Sequence, residues 1–80
     1  MATIMEKDSL IHLISYAGAT ISLKLEENSS EFQENMTIIS KKRNIIYSTK
    51  PEEIDFNREV ASIQKIINTY KDLPNLPQFQ

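Results

Sequence analysis

From Phe56 onward, apolar side chains recur at the steps that place residues on one face of a helix. Phe56, Val60, Ile63, Ile67 and Tyr70 are separated by four, three, four and three residues. Ile66 and Leu73 widen that face to roughly 140°, beyond the ~100° expected of a helix that covers one surface. Pro74 ends the pattern, because it has no N–H and clashes with the preceding turn. At the start, Thr49-Lys50-Pro51-Glu52 has capping-box spacing with proline early in the first turn, and Asp55 is a second candidate cap. Glu59 falls inside the stripe, between Ile63 and Ile66. A buried, unpaired carboxylate is costly. Glu59 is therefore expected at the rim of the stripe, or in a salt bridge to a lysine or arginine of another chain.

The rest of the chain is less decisive. Leu10, Leu13, Ile14 and Ala17 have helical spacing, Asp8 or Ser9 can cap their N-terminal side, and Gly18 sits where a helix often ends. This predicts a short helix over 8–17, with a strand over 10–16 as the competing reading. Ala19, Ile21, Leu23 and Leu25 alternate with Thr20, Ser22, Lys24 and Glu26, and period 2 predicts a strand over 19–26. Residues 27–31 are a polar loop. Residues 35–40 and 45–49 are rich in strand formers and flank the polar run Lys41-Lys42-Arg43-Asn44, which reads as a hairpin.

These segments predict an α+β fold with a short N-terminal helix, a three-stranded antiparallel sheet and a long C-terminal helix packed on the sheet. A four-stranded meander plus helix is the alternative. One small domain spans residues 1–73, and residues 74–80 read as an extended tail.

Eighty residues make a single domain whose stability is marginal alone. There is no cysteine, so neither a disulfide nor a thiolate zinc site is available, and one histidine, His12, does not make a metal site. Good packing or oligomerisation is left. The apolar-rich stretch 10–25 is too interrupted to span a membrane, and Met1–Lys7 does not read as a secretion signal. The cytoplasm is the expected compartment. A net charge of −2 argues against bulk nucleic-acid binding.

No catalytic constellation stands out, and no cofactor is implied. A lone glycine rules out the glycine-rich phosphate loops. His12, on a helix over 8–17, faces solvent within reach of Asp8. Paired carboxylates at 26–27 and 52–53 sit at element ends, where they are usually solvated. The one basic run, Lys41, Lys42 and Arg43, reads first as a solvated hairpin tip and second, with Tyr47, as an anion- or partner-binding clamp.

The excess apolar surface points to a homo-oligomer, most simply a dimer. Ile39 and Ile46 on the back of the hairpin, Glu59, Ile66 and Tyr70 on the wide stripe, and Leu76 and Phe79 in the tail are its candidate interface residues. Three functions follow as expectations. The first is a non-enzymatic regulator or inhibitor acting through protein contacts, of phage or mobile-element origin on its Ile-, Asn- and Lys-rich composition. The second is an oligomeric binder of a nucleotide or similar small anion. The third is a DNA-binding regulator using Arg58, Lys65 and Lys71, although nucleic acid is the least favoured partner.

Overall fold

The computed structural model describes residues 2–77, and these fold as three α-helices: α1 (Ile4–Lys24), α2 (Ser30–Ser48) and α3 (Phe56–Tyr70), with a short 3₁₀ turn, Pro51–Glu53, before α3. The α+β expectation is overturned. Among the described residues there is neither the three-stranded sheet nor the four-stranded alternative.

The helix expected over 8–17 is part of α1, and the strand predicted over 19–26, like the competing strand over 10–16, fails for one reason. Leu10, Ile14, Ala17 and Ile21 continue at steps of four, three and four straight through Gly18, and all four are buried. Gly18 does not take a positive φ, so it neither ends the helix nor turns the chain. The alternation over 19–26 is a coincidence of composition. Ala19 and Leu23 lie exposed while Ile21 is buried and Leu25 half-buried, a helical rather than a two-residue period. The helix starts earlier than Asp8. Thr3 caps it: its Oγ1 accepts from Glu6 N (3.1 Å) and Glu6 Oε1 accepts from Thr3 N (2.9 Å).

The predicted hairpin is a single helix. Phe32, Met36, Ile39 and Ile46 form its inward stripe, and Ile39 and Ile46 are buried. Strand propensity is a weak preference that tertiary burial overrides. Asn44, in the polar run expected to turn the hairpin, has no positive φ and lies within the helix. Ser29 caps α2 by accepting from Phe32 N (3.1 Å). The helix expected from Phe56 is α3, capped by Asp55, whose Oδ1 accepts from Arg58 N (3.2 Å).

α1 is the central helix. Both α2 and α3 pack on it, while the Cα atoms of α2 and α3 stay more than 8 Å from each other. Residues 25–29 link α1 to an antiparallel α2. At one end of the molecule Ala2 N donates to Pro51 O (3.1 Å), and Lys7 Nζ donates to the carbonyls of Tyr47 and Thr49 (3.0 and 2.8 Å). At the other end Leu76 N donates to Leu23 O (2.8 Å), and Lys24 Nζ donates to Leu73 O (2.6 Å) and to Asn75 Oδ1. α3 therefore runs in the same direction as α1. The described residues form a rod of 44 × 22 × 19 Å.

The core is Leu10, Ile14, Ala17 and Ile21 from α1, Ile39 and Ile46 from α2, Ile54 before α3, and Ile63, Ile67 and Tyr70 from α3. Thr20, the buried polar residue of α1, donates its hydroxyl to Tyr16 O (2.9 Å), so its polarity is satisfied within the helix.

Candidate functional site: the outer face of α1

The residues singled out from sequence are mostly consumed by the fold. Ile39, Ile46 and Tyr70 are buried within the chain, and Ile66 packs half-buried against the same core. The wide stripe on α3 has an internal explanation: it meets α1 and also closes over side chains of α2. Tyr70 shows the second contact. Its hydroxyl donates to Glu31 Oε2 (2.7 Å) and accepts from Asn35 Nδ2 (2.9 Å), both on α2. Burial, and then the hydrogen bond to the Glu31 carboxylate, push the Tyr70 phenol above its ordinary pKa.

Glu59 also turns toward α2. Its Oε1 lies 3.4 Å from Lys42 Nζ, with both side chains about one-quarter exposed. Glu59, expected at the rim of the stripe or paired with another chain, is thus partly exposed and paired within this one. Leu76 docks on the end of α1. Phe79 lies outside the described residues.

Helical geometry scatters the basic run. Successive residues on a helix diverge by about 100°. Lys41 and Arg43 are exposed on different sides of α2, and Lys42 is committed to Glu59. Arg43 and Tyr47, four residues apart, are the two of the four proposed anion ligands that share a face. His12 and Asp8 are both exposed and make no ion pair, and among the described residues no group of three or more histidines and acids could hold a metal. No helix among them is long and apolar enough to cross a membrane.

What the fold leaves over is elsewhere. α1 buries one half of its circumference and exposes the other. The exposed half carries a second set of residues at heptad spacing: Met5, Ser9, His12, Tyr16, Ala19 and Leu23, at steps of four, three, four, three and four. Met5, Tyr16 and Leu23 are 80, 60 and 43% exposed. None of the six is an acid, a lysine or an arginine, and Asp8 is the one such residue beside them on that half. The outer face of α3 is different. There Asn57, Arg58, Ala61, Gln64, Lys65, Asn68 and Thr69 face solvent, as a helix with only water outside it should.

The rest of the surface carries smaller features. Ile38 and Ile45 stand out from α2, 47 and 65% exposed, one heptad apart with Lys41 between them. A crevice of about 240 Å³ lies between the end of α2 and the start of α3, lined by Ile45, Ile54, Arg58 and Glu59 among others. A more open one of about 430 Å³ lies where Leu76 and Pro77 meet Leu25 and Glu26.

The α1 seam was legible in sequence. Its signal is the 5-9-12-16-19-23 spacing, which becomes visible only once the helix is allowed to pass through Gly18. No known protein family, curated protein or solved structure matches the chain.

Proposed function

We propose that the protein is a small non-enzymatic binding module, a regulator or inhibitor that acts through protein–protein contact, with the outer face of α1 as the contact surface. The observation that carries this reading is the exposed seam from Met5 to Leu23. Heptad spacing that exposes Met5, Tyr16 and Leu23 on a solvated helix face fits the pattern by which helices recognise other helices. The seam lies on the central helix of the bundle, already folded against α2 and α3, so little order has to be gained on binding. A cysteine-free chain suits the reducing cytoplasm, and the composition suits a phage or mobile-element origin.

The test is cross-linking and affinity capture from host cells with the wild-type chain and with Tyr16→Glu, which places a charge mid-seam without touching the core. A protein retained by the wild type and lost at least about tenfold, equivalent to ~1.4 kcal/mol, in the variant supports the reading. Equal recovery by both chains refutes it.

A further inference from the structure

We propose that the α1 seam is covered by a second copy of this chain, with the two α1 helices side by side and antiparallel. The inference rests on the reading of α1 as a contact surface and names its occupant.

The seam is self-complementary about its midpoint, which falls at Ile14. A two-fold axis there sets Met5 against Leu23 of the second copy, Ser9 against Ala19, and His12 against Tyr16. Each pair is matched in kind: flexible apolar against apolar, small against small, ring against ring. The small pair lets the backbones approach, and the His12 ring and Tyr16 hydroxyl can exchange a hydrogen bond across the axis. Parallel pairing loses this match, because it sets each seam residue against itself and leaves two imidazoles face to face. It also aligns the two helix dipoles, which antiparallel pairing opposes.

Charge agrees with a copy as the occupant. An isologous contact places like against like for any charge near its axis, and the seam has no acid, lysine or arginine. Asp8, beside it, comes opposite the serine hydroxyls of the same flank, Ser15 and Ser22, rather than another carboxylate. Area sets the strength. The seam is roughly 27 Å long on a cylinder 10–12 Å across, which gives about 450 Å² per chain over half the circumference. The pair then buries about 900 Å², in the class of weak, reversible complexes. The dissociation constant expected of such a contact is in the micromolar range.

Sedimentation equilibrium of the full chain, from about 1 µM to about 1 mM, reads this directly. The mass is expected to rise from 9.2 kDa toward twice that value. Tyr16→Glu raises the dissociation constant at least tenfold with an unchanged helical circular-dichroism spectrum, and Ile45→Glu on α2 leaves it unchanged. Orientation is read by cysteine pairing in this cysteine-free chain. The double variant Met5→Cys with Leu23→Cys gives a covalent dimer on mild oxidation, and neither single variant does. The two sites are ~27 Å apart within one helix, which excludes an intrachain bond. A monomer at every concentration overturns the proposal. So does efficient cross-linking of Met5→Cys alone, or dissociation by Ile45→Glu but not by Tyr16→Glu. A persistent monomer that still captures a host protein through Tyr16 overturns self-pairing and leaves the binding-module reading standing.

Discussion

Gly18→Ala is the substitution on which the helical and the sheet-containing accounts of this chain disagree in sign. In the structure Gly18 is buried in the interior of α1 with an ordinary helical backbone. A Cβ placed there meets nothing closer than Met36 Cε at 3.9 Å, an ordinary contact with the mobile end of a side chain. The methyl group therefore fits. Alanine is preferred over glycine in a helix interior by about 1 kcal/mol, mostly because the unfolded chain loses freedom. For 80 residues an unfolding entropy of about 2.1 cal/mol/K per residue converts 1 kcal/mol to a rise of about 6 °C in Tm. Thermal and urea denaturation followed by circular dichroism, at one low protein concentration so that association does not contribute, measure it. If the chain instead turned at Ala17-Gly18 between two elements, glycine would hold a conformation that alanine resists. The same change would then lower Tm. A fall in Tm, or a loss of helical signal, refutes a continuous α1.

Three further outcomes follow from the packing. Ile14→Ala removes a side chain that is 1% exposed at the centre of the bundle and is expected to cost about 2–5 kcal/mol, enough to leave the chain largely unfolded in urea titrations begun at room temperature. Tyr70→Phe deletes the hydrogen bonds to Glu31 and Asn35 and is expected to cost about 1 kcal/mol. The folded phenol has a raised pKa, so its contribution is whole below the unfolded value of 10.0 and is lost as pH climbs through the higher folded value. Stability of the wild type should therefore fall above pH 10.0 more steeply than that of Tyr70→Phe. Lys42→Ala and Glu59→Gln should each cost less than about 1 kcal/mol, and the double variant about as little as either single one, with the effect shrinking in high salt. Strong additivity between them would show that the pair does not interact.

The amphipathic pattern of α3 could be read from sequence because one side of that helix is polar and the other apolar, and the period is unmistakable. α1 hides its period for the opposite reason. It is apolar toward α2, apolar toward α3, and partly apolar on the outside as well, so no single face stands out. Gly18 and the β-branched Thr20 and Ile21 then make a turn and a strand look plausible locally. The signals that point the right way were present. Thr3-Ile4-Met5-Glu6 spells a capping box ahead of Asp8, and 10-14-17-21 crosses the glycine without a break. In α2 the isoleucine pairs at 38–39 and 45–46 carry strand propensity, yet one member of each faces the core and the other faces solvent at helical spacing. As to the site, the excess apolar surface was expected on the α3 stripe, the back of the hairpin and the tail; two neighbouring helices account for the width of the stripe, and Ile39 and Ile46 are buried in the core.

α2 is held asymmetrically. Its apolar side chains join the common core, and its contacts with α3 add the Lys42–Glu59 pair and the hydrogen bonds of Glu31 and Asn35 to Tyr70, across backbones more than 8 Å apart. The Lys42–Glu59 part of that seam is partly open to water and ions. Native-state hydrogen exchange should resolve two cooperative units, α1 with α3 opening only on global unfolding and α2 peeling away at lower free energy. The protein would then behave as a parallel pair of helices, α1 and α3, joined by a hinged α2, and denaturant or alkaline pH would release α2 first.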